Sequence, residues 1–278
     1  MRKRIATFTA INVAANPHPE GTYRRLLKDA ARLDGANYGR NWYAKLTPPS
    51  KSKDGFFHGR IGVWHHLEGK AIKQKSLEQQ DVQDILVEGA DGFGFPSKVF
   101  SWTFREADHV LFSELKNNDG DSITATAIGN AFREILTKVA VDRDIDISVT
   151  ILPEKGTVQK IFKMQEIKTL EVSFSLPNGD DLSGEKKNII DKLRERNIKK
   201  QQAKYTKSSD AKTITLDDDL RAEIELASEN GKARAVGLNR RGEKDDIDTS
   251  MRPKIIKREI EAAESNTILL RSVAAEVD

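Results

Sequence analysis

The chain of 278 residues has no cysteine. That removes disulfides, thiolate zinc sites, iron–sulfur clusters and cysteine nucleophiles from consideration. Aromatic residues are scarce at 6%, while 32% of residues are charged, a mixture that suits a folded protein in more than one piece with heavily solvated elements. No apolar run approaches the ~18 residues of a membrane span. Met-Arg-Lys-Arg leads into alternation rather than into a signal-peptide apolar block. The expectation is a cytoplasmic protein with no membrane insertion.

Several catalytic signatures are also missing. There is no Gly-x-Ser-x-Gly elbow, and no serine, histidine and acid fall at a recognisable motif. In "GADGFGFPSKVFSW" the glycines Gly89, Gly92 and Gly94 match neither G-x-G-x-x-G nor the P-loop, and a strand pattern comes next where a phosphate cradle needs a helix. They read as turn glycines, with Pro96 setting the entry to an edge strand. No cofactor is expected.

The sequence is rich instead in alternation and in a local excess of positive charge. "KRIATFTAINVAA" alternates with both faces fairly apolar, as an interior strand does. A Pro-rich loop then leads to an amphipathic helix carrying Tyr23, Leu26, Leu27, Ala30 and Leu33, with Arg24, Arg25 and Lys28 pointing elsewhere. Short strands are expected at "YGRNWYAKL" and "FFHGRIGVWHHLE", and a hairpin at "KVFSWTF" and "HVLFSEL". Ile123, Ala127, Ala131, Ile135 and Val139 mark one face of a second helix. "DISVTIL" and "KTLEVSFSL" are strands whose order in a sheet stays open. Further on come a helix at "DDDLRAEIELASENG", a hairpin around Arg241-Gly242, a strand at "PKIIKREIE" and a terminal helix.

The fold class is therefore α+β: a mixed or antiparallel sheet core with two principal helices, an exposed basic helix and a smaller C-terminal α+β unit. The expected divisions are 1–181 for the core, 182–209 for a basic helical arm and 210–278 for the C-terminal unit.

From Ser183 to Lys207 nine basic residues face three acids, a local charge of +6, which leaves −3 for the rest of a chain whose formal net charge is +3. As one helix these 25 residues would reach ~38 Å, enough to lie along a duplex. Lys186, Lys187, Lys192, Arg194, Arg196, Lys199, Lys200 and Lys204 are the candidate phosphate contacts, extended by Arg240 and Arg241 in the second hairpin. Lys244, Arg252, Lys254, Lys257 and Arg258 are further members of such a surface. Tyr205 is the one aromatic in the segment, so contact by charge is expected rather than stacking. The bland alternative is a solvated helix whose lysines serve solubility.

Glu114-Leu115-Lys116 is the E-x-K half of a metal-dependent nuclease core, with Asp91 as the better second acid; Asp108 sits at the far end of the strand, ~20 Å away. His58, His66 and Glu68 share strand parity, but eight residues hold the two histidines ~26 Å apart, too far for one metal ion. His65 and His66 flank Trp64 as one buried and one exposed ring, and His18 fixes the first helix.

"GFGFPSKVF", the strand "HVLFSE" and "ISVTILPEKGTVQKIF" leading to "LEVSFSL", within Asp91 to Leu176, resemble the layout of the lambda phage exclusion protein RexA. Most of the chain is also similar to a group of uncharacterised bacterial proteins, domains of unknown function, through its "HPEGTYRRLL" and "DGFGFPSKVF" segments. The RexA resemblance implies a homodimer that binds DNA without sequence specificity, takes part in phage exclusion or abortive infection, and signals to an effector protein. It transfers no catalytic residues. Three functions stand as expectations: a DNA-binding protein acting by charge contact and conformational signalling, a divalent-metal nuclease of a defence system, and a module whose basic helix docks on an acidic protein.

Overall fold

The computed structural model describes residues 3–65, 70–72, 79–81, 97–178, 182, 184–261 and 265–277. Strand β1 (Lys3–Asn16) buries both of its faces. Ala6, Phe8 and Ala10 enter one apolar cluster, and Ile11, Val13 and Ala15 enter another. Such a strand is stable only with cover on both sides.

Helix α1 (Thr22–Ala30) comes next, then strands β2 (Ala36–Gly39) and β3 (Trp42–Leu46). The two residues between these strands, Arg40 and Asn41, have φ of 46° and 61°, the left-handed pair that a tight hairpin requires. "YGRNWYAKL" is thus a hairpin rather than one strand. The chain continues through β4 (Ser50–Lys51), β5 (Phe57–His65), β6 (Lys70–Ile72), β7 (Gln79–Asp81), β8 (Ser97–Arg105) and β9 (Val110–Glu114). Helix α2 (Ala125–Val141), strand β10 (Asp146–Ile151), the short helix α3 (Thr157–Phe162) and strand β11 (Glu166–Ser175) lead into the second half. There lie α4 (Gly184–Glu195), β12 (Lys200–Thr206), α5 (Asp218–Asn230), β13 (Gly231–Leu238), β14 (Lys244–Asp248), β15 (Ile255–Glu261) and α6 (Asn266–Glu276).

The architecture is α+β with antiparallel sheets. The larger sheet runs β10-β1-β9-β8-β5-β3-β2, with β15 also on β1 and β4 on β5. Along one edge of β1, residues Lys3–Thr9 pair with β15 and residues Ile11–Asn16 with β10, while β9 takes the other edge. Helices α1 and α2 cover one face, where Trp102 and Phe132 meet edge to face with centroids 6.2 Å apart. Leu270, Val273 and Ala274 of α6 cover the other.

The smaller sheet runs β12-β11-β13-β14. Leu170, Val172 and Phe174 pack with Ile190 and Leu193 of α4 and with Ile224 and Leu226 of α5. The Asp217 carboxylate accepts the Leu220 N–H at 2.9 Å, and Asp218 and Asp219 fill the first turn of α5, the chemistry that stabilises a helix N-terminus.

Three expectations change. The basic segment is not one exposed helix: α4 ends at Glu195, Asn197 turns to φ 55°, and the Ile198 N–H donates to the Leu193 carbonyl at 2.8 Å. Beyond that turn the chain becomes a strand, β12, paired along β11. The divisions at 181 and 209 do not follow the sheets, because β11 lies at the heart of the smaller sheet while β15 and α6 return to the larger one. In α2 the buried face is Ala125, Ile128, Ala131, Phe132, Ile135 and Val139, with Ala127 half-exposed.

Candidate nucleic-acid interface

The strands of the smaller sheet alternate, and only one set of side chains meets the helices. On β12, Gln201 and Tyr205 turn inward and donate to the Glu223 carboxylate of α5 at 2.9 and 2.8 Å. Lys200, Gln202 and Lys204 therefore project from the opposite face. Pairing registers arrange that face in rows: Lys200 beside Ser175; Gln202, Ser173 and Lys232; then Lys204, Glu171, Arg234 and Asp248.

At one end this face looks across a cleft of about 500 Å³ toward β10 and α2. Asn130 and Arg133 of α2, Ser148 of β10, Ser173 and Ser175 of β11, and Lys200 and Lys232 line it. Two smaller hollows continue it. One of about 170 Å³ shares Ser148, Ser175 and Lys200 and adds Lys199 and Asp146. The other, about 340 Å³, shares Ser173 and Lys232 and adds Gln202, Lys204 and Glu171. Together they form one groove in which cations and hydroxyls alternate with apolar side chains and with the Asp146 and Glu171 carboxylates.

The cations differ in what already holds them. Lys204 meets Glu171 at 2.8 Å, Lys232 meets Asp248 at 2.9 Å, and Lys199 reaches Asp146 across the cleft at 3.2 Å. The Glu171 carboxyl is held low by its hydrogen bond from Lys204. Arg234 forms a fork with Asp246, at 2.9 and 2.6 Å, which holds that carboxyl low too. Exposed pairs of this kind are weak and exchangeable. Lys200 is exposed and has no side-chain partner among the described residues. Arg133 is half-buried, donating to the Val149 carbonyl at 2.8 Å and to Asn130 Oδ1 at 2.6 Å. Burial lowers its pKa, with Glu134 acting in the other direction.

The residues singled out from sequence do not all converge. Lys199, Lys200 and Lys204 are in the groove. Lys187, Lys192, Arg194 and Arg196 are exposed on and just after α4, which packs on the sheet's other side, and Arg194 contacts Asp191 at 3.7 Å. Lys186 is turned toward α5, 3.1 Å from Glu225 and 3.2 Å from Glu229. Burial alone would lower its pKa, but the two carboxylates outweigh that and hold it above its ordinary value. Arg240 and Arg241 are exposed in the β13–β14 turn. Lys232 pairs with Ser173 and Leu238 with Glu166, so the turn lies ~20 Å or more along the sheet from the cleft. Arg133, Lys232 and the serines of β11 were not foreseen; the alternation of "LEVSFSL" is the signal that marks those serines as a wet face.

The E-x-K candidates also separate. Glu114 is only 3% exposed, and its carboxylate accepts the Ser101 N–H where the β8–β9 ladder ends. Burial raises its pKa, offset in part by Ser101, Asn266 and Arg4. Lys116 is exposed and its backbone bridges to Ser122. Asp91 lies outside the described residues, as do Gly89, Gly92, Gly94, Pro96, His66 and Glu68. Among the described residues no three His, Asp or Glu side chains are grouped to hold a metal ion.

His58 Nε2 lies 2.6 Å from Arg271 of α6, and His65 meets the Trp42 ring edge-on. His18 stands against Tyr23 of α1 and against buried His109.

The chain belongs to the family described as a domain of unknown function, DUF4747, whose model matches residues 4–275. No curated protein matches it.

Proposed function

We propose that this DUF4747 member is a sequence-tolerant DNA-binding protein that receives the phosphate backbone in the groove of the smaller sheet. One observation carries the reading: Arg133, Lys199, Lys200, Lys204 and Lys232 converge on one continuous groove in which they outnumber the two carboxylates, Asp146 and Glu171, and share the lining with hydroxyl, amide and apolar side chains. The aromatic at its edge, Phe174, is buried in the core. Such a surface suits phosphates and offers bases neither a stacking platform nor a matched hydrogen-bond pattern.

The groove has walls from both sheets, which supplies a route for conformational signalling, since a strand held between them favours one separation of the walls. A role in phage exclusion or a related defence response, with a homodimer and an effector protein as partners, rests on the RexA-like layout of Asp91 to Leu176. Two copies would double the phosphate contacts. Binding by charge contact needs no catalytic step.

Fluorescence anisotropy of a labelled 30-mer duplex across a salt series, with and without magnesium, tests the reading. Four phosphate contacts, from the exposed Lys199, Lys200, Lys204 and Lys232, predict a log–log salt slope of about −3.6 and a loss of about 150-fold between 50 and 200 mM salt. The double variant K199A/K200A flattens the slope to about −1.8, whereas K187A/K192A leaves it unchanged. Absence of binding at low salt overturns the reading in favour of a protein partner, and magnesium-dependent cutting on a gel replaces it with the nuclease.

A further inference from the structure

The cations of the groove are not equally reachable. Lys199 and Lys204 are 75% and 64% exposed, at the mouths of the smaller hollows. Arg133 is half-buried in the wall of the main cleft. At about 500 Å³ that cleft has the size of pockets that take one small ligand, too small for the full width of a duplex. The phosphates of a duplex lie on the outside of a stiff rod, within range of the exposed lysines and out of range of the cleft wall. A single strand is thin and flexible, and one nucleotide of it fits where a helix of two does not.

The chemistry inside the cleft matches a phosphodiester. Arg133 is fixed by the Val149 carbonyl and Asn130, so its planar donor fork is held in place before any ligand arrives. Lys200 stands across the cleft with no partner among the described residues. Lys232 is paired with Asp248 at 2.9 Å, with the lysine side half open to solvent. Ser148, Ser173 and Ser175 add hydroxyls, while Ser250 Oγ already donates to Asp248 at 2.7 Å; among the described residues no carboxylate belongs to the cleft lining itself. Asp146 and Glu171 stand in the two side hollows instead. The arrangement favours one anionic unit inside, with the chain leaving past Lys199 on one side and Lys204 on the other.

We propose that the groove selects single-stranded over double-stranded nucleic acid, with one phosphodiester seated in the cleft between Arg133, Lys200 and Lys232. This rests on the nucleic-acid reading above and adds the strand preference to it. The one aromatic among the described lining, Phe174, is buried, so the preference rests on access to the backbone and not on stacking or sequence.

The test uses the full chain and a labelled 15-mer of mixed sequence, alone and annealed to its complement, at one salt concentration. The single strand is expected to bind at least tenfold tighter than the duplex. R133Q and S175W are each expected to weaken single-strand binding at least tenfold and to lower the ratio of single-strand to duplex affinity at least fivefold. S175W fills the cleft without altering charge, so it separates occupancy from electrostatics. Unfolding midpoints of both variants within a few degrees of the parent confirm that each is folded, and if R133Q unfolds, S175W carries the test. Equal or tighter duplex binding that both variants leave untouched overturns the strand preference while the DNA-binding reading stands. No binding of either form overturns both. Competition by a free mononucleotide at the strand's own affinity overturns the strand preference as well, identifying a nucleotide pocket instead.

Discussion

The two main sheets are antiparallel and both are backed by helices, yet their inner strands have opposite compositions. β1 places Ala6, Phe8 and Ala10 on one side and Ile11, Val13 and Ala15 on the other, all buried. β11 places Leu170, Val172 and Phe174 on one side and Glu171, Ser173 and Ser175 on the other. A strand of the first kind has no face left for a partner. A strand of the second kind needs cover on one side only, and its free side can change without disturbing the core. β1 is accordingly interior scaffold, while β11 keeps one wet face toward the groove.

The largest effect expected from that division is in stability. Phe132 is fully buried against Trp102, and F132A should lose about 3–5 kcal/mol in urea unfolding. K204A, on the wet face, should stay within about 0.5 kcal/mol of the parent. Similar losses at both positions would erase the distinction between the sheets.

Gly231 sharpens the comparison because it lies where the groove meets the core. A Cβ there would stand 2.0 Å from the Ser173 carbonyl oxygen, a backbone atom with nowhere to move except away from β13. G231A should lose about 1–3 kcal/mol and weaken nucleic-acid binding as well, since Ser173 and Gly231 both line the cleft. A stable variant with unchanged binding would mean that the floor is more compliant than the packing requires.

Lys186 separates charge used for folding from charge left for a ligand. It joins α4 to Glu225 and Glu229 of α5, so K186M should lose up to about 1 kcal/mol with no change in the salt slope of binding. Its strand counterpart Lys200 should behave in the reverse way.

How far these assignments can be read from sequence depends on the distance over which each is decided. The two-sided burial of β1, the β8–β9 and β13–β14 hairpins and the capped start of α5 are local patterns, and they are visible in the residues. The break within the basic segment is local too, but its signal is quiet. Asn197 supplies the left-handed residue that a glycine more often provides at a helix end, and after it the spacing of apolar residues changes from helical to alternating in "KQQAKYT". The return of β15 to β1 joins residues about 250 apart in the chain, and nothing in either strand names its partner. Arg133 and Lys232 are equally hard to pick out. Each is an ordinary surface cation in its own element, and only the approach of α2 to the smaller sheet brings them into one cleft.

The smallest predicted effect tests the corrected strand β12 most directly. On an exposed arm, Tyr205 would titrate as a free phenol; on β12 it is turned inward, and its hydroxyl donates to Glu223 at 2.8 Å. Burial first, and then the hydrogen bond and charge of Glu223, push its pKa up to about 12. A phenol that ionises later when folded than when unfolded contributes stability that is complete below its ordinary value near 10, and that contribution is lost as pH rises from there toward 12. Among the four tyrosines, Tyr38 is also raised, by burial alone. The ultraviolet titration of the folded protein should therefore contain a late component near pH 12 that disappears in Y205F and moves to lower pH in E223Q. A titration of Y205F that superimposes on the parent would detach β12 from α5 and restore the exposed arm.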